Sequence, residues 1–310
     1  MLEFYASGVN LLSKGKLSMN LDMMEMVAKA AENSIAYVDD RKGLRDDFGF
    51  DFWLGEGCTS LREELKYASS QQFPDFLMKT ALVKGQLING SVLELKDSKG
   101  GSISSFNSTI PSKTKSLDEI DLTNQTDLVS KIASCKDADV SAMSDYRKFQ
   151  RNCFYMVRTH RGSDKVKLSL VHGSFFETIP KEKLFYQMFL NALHGNLSKK
   201  DIQISPEIMK EVENVFSYMN DQTIIASSQN IEKASVKPRF MITADVHRDA
   251  NPHGNSYDIP EQTFNLIIPE YLYSHELKKR VLRLNGDISQ IEIQHKRNGI
   301  HFVFSYPVKI

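Results

Sequence analysis

Few residues in this 310-residue chain have the type and spacing to do chemistry, and they fall in four places. His172 stands beside Gly173 and Ser174, so an imidazole and a hydroxyl lie two residues apart at a strand end. The glycine there opens the backbone to close approach. His247, Asp249 and His253 lie within the polar stretch Asp245–Asp258, where imidazoles and carboxylates could hold a divalent metal or pass protons. Their spacing, His-x-Asp-x3-His, fits no metal signature, so a solvated loop is the alternative. Cys58 precedes an expected helix start, where the dipole lowers a thiol pKa; a structural thiol at a helix entry is the other reading. Lys278, Lys279, Arg280 and Arg283 form a basic helix face that could meet a phosphate-bearing ligand. From residue 271 onward, seven Lys or Arg stand against three acids.

Two hairpins must position these groups. In Cys153–Ser174, Val166, Leu168, Leu170 and His172 share one face by the two-residue period. A turn at Gly162-Ser163 pairs Cys153 with His172. In the last hairpin, Asn298-Gly299 is the strongest turn signal and pairs His295 with Phe302 and Ile293 with Phe304.

Helices are expected over residues 17–38, 61–69, 73–82, 125–134, 141–150 and 181–194, with others opened by Ser205-Pro206 and capped by Ser274. Strands over 83–88, 91–95 and 102–106 form a meander turning at Asn89-Gly90 and at residues 97–101. Strands also fall at 223–226, 239–244 and 263–268. The fold class is therefore α+β, antiparallel hairpins and a meander packed with helices. Residues 1–106 form an N-terminal helix-plus-meander region, 107–140 a polar linker or mobile segment, and 141–310 a C-terminal α+β region. Ser116 and Glu119 have capping-box spacing inside the polar segment.

Composition narrows the function classes. Net charge is zero, so binding to nucleic acid or membrane needs a local patch. Three scattered cysteines give neither a disulfide framework nor a zinc ribbon. The N-terminus lacks the pattern of a signal peptide, and no apolar run reaches the length of a membrane span. A cytoplasmic protein, or one delivered to a host cytosol, is expected.

Two resemblances add enzyme readings. Val171-His172-Gly173-Ser174 resembles the His-Gly-Ser/Thr strand end of ADP-ribosyltransferases of the diphtheria-toxin and poly-ADP-ribose class. That resemblance implies NAD held by His172 and Ser174, an aromatic residue such as Tyr186 or Tyr218 against the nicotinamide, and a late glutamate, Glu292, at the transition state. The Gly-x-Cys58 helix start resembles papain-like cysteine hydrolases and implies a nucleophilic Cys58. Neither is joined by further motif residues. The leading expectation is a soluble macromolecule-binding protein of secreted-effector or viral type, acting on a protein partner. The NAD-dependent transferase is the alternative, and the cysteine hydrolase comes third.

Overall fold

A computed structural model describes residues 1–39, 73–83, 86–100, 103, 111–124, 143–160, 162, 165–176, 181–218 and 251–309. The strands are β1 (Phe76–Val83), β2 (Gln86–Lys99), β3 (Thr114–Lys115), β4 (Arg151–His160), β5 (Val166–His172), β6 (Thr263–Pro269), β7 (Ser289–His295) and β8 (Gly299–Pro307). They form one sheet in the order β1-β2-β4-β5-β6-β8-β7, with β3 paired to β4. The helices are α1 (Leu2–Ser13), α2 (Met23–Asp39), α3 (Leu117–Asn124), α4 (Met143–Lys148), α5 (Lys181–Lys199), α6 (Pro206–Ser217) and α7 (His275–Leu282).

The class is α+β, but the sheet is mixed. β2 runs parallel to β4, and β5 runs parallel to β6, whereas the other pairs are antiparallel. A parallel pair needs a crossover rather than a turn. The chain between β5 and β6 carries α5 and α6, and that between β2 and β4 carries β3, α3 and α4. One sheet thus runs through both the N-terminal and the C-terminal regions separated in the sequence reading.

The sheet is covered on both faces. On the first, α1, α2 and α7 bury Phe4, Val9, Met26, Val27 and Val281 against Phe154, Met156, Leu168, Leu170, Phe264, Leu266 and Phe304. Helix α1 was not anticipated from the sequence. It fits closely: a Cβ on Gly8 would stand 2.6 Å from the Phe264 ring. The Tyr5 hydroxyl lies 3.2 Å from the Phe264 carbonyl and 3.0 Å from that of Phe304. Burial pushes that phenol far above its usual range, so it stays neutral and donates. On the second face, Cys153, Tyr155, Val157, Val171, Ile267, Ile293 and Val303 pack with Leu117 and Ile120 of α3 and with Phe175 and Ile259.

Several local expectations change. Residues 76–83 are a strand rather than part of a helix, and β2 continues through Asn89-Gly90, where Gly90 takes φ 76°. The polar segment contributes β3 and α3, with Ser112, Lys115, Ser116, Leu117 and Ile120 buried. Its capping box forms: the Ser116 amide donates to Glu119 at 2.7 Å, and the Glu119 amide donates to Ser116 at 3.2 Å. Ser205 caps α6 and Ser274 caps α7. Helix α5 runs past Gly195 to Lys199. The expected elements at 61–69, 125–134, 223–226 and 239–244 lie outside the described residues.

Both hairpin registers differ from those expected. Phe154, not Cys153, lies opposite His172, and His160 pairs with Val166 across a five-residue connection. Cys153 therefore shares the face of Tyr155 and Val171, because a one-residue slip inverts every side chain. β4 is buried along nearly its whole length, so its apolar residues do not alternate and cannot fix the register. In the last hairpin His295 pairs with Gly299, Ile293 with His301 and Glu292 with Phe302, a slip of three. Gly299 supplies a positive φ of 77° after a three-residue turn rather than within a two-residue one. The His295 side chain sets that turn: its Nδ1 accepts the amides of Arg297 at 3.1 Å and Asn298 at 3.0 Å.

Gly173 is fixed by space. A Cβ there would stand 1.8 Å from the Ser112 carbonyl oxygen, a backbone atom. Gly173→Ala is expected to destabilise the fold by about 2–4 kcal/mol, the scale of severe overpacking. Urea unfolding measures it, and a loss below ~0.5 kcal/mol would show that the two segments do not meet.

Candidate functional site

The buried histidines His172, His253 and His301 fall in two polar clusters. The first lies at the end of β5. His172 closes the strand and accepts the Ser174 amide at Nδ1, 3.2 Å away, which starts the short 3-10 turn Gly173–Phe175. Ser174 Oγ is 2.8 Å from the same Nδ1 and 3.1 Å from His301 Nε2. His301 Nδ1 lies 3.2 Å from the Gly299 carbonyl, and His172 Nε2 lies 3.4 Å from Asn152 Oδ1. The rings of Phe154 and Tyr271 meet His172 edge-on at 5.1 and 5.8 Å. Phe175 fills the space beside His295 and His301, with centroids 4.9 and 5.1 Å away.

The second cluster crosses the sheet. His253, at the start of the described part of the late polar loop, points both ring nitrogens into the fold. Nδ1 is 2.8 Å from Thr159 Oγ1 on β4, and Nε2 is 2.7 Å from Ser169 Oγ on β5. Asn265 of β6 continues the row. Its amide nitrogen donates to Ser169 Oγ at 3.2 Å and Thr263 Oγ1 at 3.0 Å, and its carbonyl accepts Ser305 Oγ at 2.6 Å. Every member is buried, so each polar atom must be satisfied from within the protein. His253 thus clips its loop to two strands, which leaves neither ring nitrogen open to a metal.

The structure does not gather the residues of the NAD reading around one cleft. His172 is fully buried, whereas Glu292 is exposed on β7. Glu292 pairs with Phe302, Phe302 pairs with Ile268, and the neighbouring Ile267 pairs with Val171. Two strands therefore separate His172 from Glu292, about 14 Å at the usual strand spacing. Tyr218 sits at the C-terminus of α6 and is 81% exposed. Cys58, His247 and Asp249 lie outside the described residues. Among the described residues, no group of three or more His, Cys, Asp or Glu could hold a metal ion. On α7, Lys279 and Arg280 are exposed and Lys278 is half-buried, and Arg283 is exposed at its C-cap, but Arg280 is held 3.1 Å from Glu3 of α1.

Sequence spacing could not supply Asn152, His301 or Tyr271, because they reach His172 from other parts of the chain. Asn265 did carry a signal: it is a polar residue inside the apolar strand Thr263–Pro269. A third group sits on β2, where Glu94 is held by Lys96 at 2.7 Å and lies beside Asp75. Burial and then the Asp75 charge raise the Glu94 carboxyl to about 7. No family model, no curated protein and no solved structure matches this chain. No described helix is long and apolar enough to cross a membrane.

Burial makes the site histidines acid-sensitive. Desolvation holds His172 and His253 down to about 3 and His301 to about 4, from a usual value near 6.5. The folded pKa lies below the unfolded one, so the stabilising contribution is complete above about pH 6.5. It is lost as pH falls towards 4 and 3. Glu94 has the opposite sign: its contribution is complete below about 4.5 and is lost as pH rises through 7. Three rings outweigh that carboxyl. Stability should therefore fall on the order of 2 kcal/mol per pH unit between pH 6 and 5. Urea midpoints across that range measure the slope, and His253→Gln should flatten it by about one proton's worth. Equal midpoints at pH 6 and 5 would mean that the rings are not buried as neutral groups.

Proposed function

We propose that this protein acts by binding a macromolecular partner through the outward face of α6. The observation that carries the reading is the exposure of Ile208, Val215 and Tyr218, at 54%, 62% and 81%. A helix normally buries its apolar stripe, and large apolar side chains left outside in a row mark an interaction surface. Helix α6 has two such stripes. Met209, Val212 and Phe216 are half-buried, and Phe216 meets Phe189 of α5 with ring centroids 5.6 Å apart. Ile208, Glu211, Val215 and Tyr218 follow steps of three, four and three, the spacing of a coiled-coil seam. None of residues 186–216 is fully buried.

That spacing fits a helical partner, whose own apolar residues would enter the gaps between Ile208, Val215 and Tyr218. Glu207, Glu211 and Glu213 outnumber Lys210 along α6, which favours a partner helix with basic flanks. The transferase reading gains no comparable support, since strands β6 and β8 lie between His172 and Glu292.

The test compares the chain with its Ile208→Asp/Val215→Asp variant as bait for quantitative cross-linking in a cell lysate and for sedimentation of the pure protein. Both positions are exposed, so the urea midpoint should move by no more than about 0.5 kcal/mol in stability per site. The expected result is one dominant cross-linked species, mapped to α6, that falls at least about tenfold in the variant, the effect of losing a well-packed anchor. Sedimentation tells whether that species is a second copy. Equal capture by both baits, or cross-links that avoid α6, would reject the proposal.

A further inference from the structure

The hydrogen bonds around Ser174 do not balance when both histidines are neutral. Backbone groups fix both ends of the chain. At one end His172 Nδ1 receives the Ser174 amide, so that nitrogen is an acceptor. At the other, His301 Nδ1 faces the Gly299 carbonyl, which can only accept, so this nitrogen carries the proton and leaves Nε2 as an acceptor. Ser174 Oγ stands between these two acceptors, 2.8 Å from one and 3.1 Å from the other. A hydroxyl has one proton, so in the neutral cluster one ring nitrogen faces an oxygen lone pair.

One added proton repairs the chain. His301 Nε2–H then donates to Ser174 Oγ, Ser174 donates to His172 Nδ1, and His172 Nε2–H donates to Asn152. We infer that His172, Ser174 and His301 form a single proton-binding site, in which the added proton sits on His301 Nε2 and the hydroxyl relays its hydrogen bond to the neutral His172, and so completes a clasp between the end of β5 and the start of β8. Asn298 already ties the β7–β8 turn to the Phe175 carbonyl at 2.9 Å, so the clasp strengthens an existing contact.

The surroundings set how readily the proton enters. Burial opposes it at both rings. Lys113 adds to the opposition at His172, and His295 does so at His301. Arg151 of β4 and Lys115 of β3 are also buried cations on neighbouring strands, while Lys296 and Arg297 of the turn are exposed. Tyr271 meets the His172 ring edge-on, and Tyr257 stacks on His295. Among the described residues, no carboxylate contributes to the shift of either ring. The Gly299 carbonyl favours uptake at His301, and the shared hydroxyl adds to it, raising the proton affinity above that of the same two rings without the hydroxyl.

Nitrogen-15 chemical shifts of the histidine rings in the full chain, followed from pH 7.5 down to the start of unfolding, test this. The expected result is one proton taken up at His301, with the His172 Nδ1 shift moving at the same midpoint as Ser174 donates to it while that ring stays neutral. Ser174→Ala should lower that midpoint by about one pH unit, a tenfold loss of proton affinity, as a charged hydrogen bond disappears. Ser174→Thr, which keeps the hydroxyl, should retain the original midpoint, while His253 serves as an unchanged internal reference. Separate midpoints for the two rings, a His301 ring that stays neutral until unfolding, or an unshifted midpoint in Ser174→Ala each overturn the inference. If Ser174→Ala does not fold, the common or separate midpoints of the unaltered chain and of Ser174→Thr decide it.

Discussion

Strand β5 lies in the middle of the sheet with both faces covered, and that double burial governs the rest of the molecule. A central strand with no wet face must be apolar on both sides or must satisfy its polar side chains internally. β5 does both. Leu168, Leu170, Val166 and Val171 supply the apolar contacts. Lys167 is half-buried near the start of the strand; Ser169 and His172 are its fully buried polar residues, and each anchors a network that reaches other strands. Removing one member of such a network leaves a buried partner unpaired, which costs more than the bond itself contributed.

The two networks use histidine differently. His253 has a hydroxyl at each ring nitrogen, and Ser169 also receives the Asn265 amide. A neutral imidazole there, with one donor and one acceptor nitrogen, is consistent with the partners around it. At the other end of β5, backbone groups polarise both His172 and His301 toward the same hydroxyl. The same residue types therefore form a satisfied structural clip in one place and a cluster short of one proton in the other. The difference lies in which backbone atoms face the rings.

The helices divide in the same way. α1, α2 and α7 bury their stripes on the sheet, and Tyr5 reaches strand carbonyls on β6 and β8. α5 and α6 lie on the crossover between β5 and β6, and α6 keeps a second apolar stripe exposed. A stripe that contributes little burial within the chain represents apolar surface a partner could still remove from water. This contrast between helices, rather than any one exposed residue, supports a binding role.

The sequence by itself determined the elements governed by local chemistry. Ser116 with Glu119, Ser205-Pro206 and Ser274 each start a helix where their side chains can cap it. The α+β class, the strands of both hairpins and the strand at residues 263–269 were likewise legible from local pattern. Tertiary structure decided what local pattern leaves degenerate. β4 is apolar on both faces, so alternation could not tell Cys153 from Phe154 as the partner of His172. The last turn was set by the His295 side chain bonding two amides, an interaction outside the two-residue turn rule. The parallel pairs bring together strands separated by whole helices. The parallel β5–β6 pair thus brings His301 of β8 to His172, while Asn152 arrives across the β4–β5 hairpin, and no spacing in the chain announces that site.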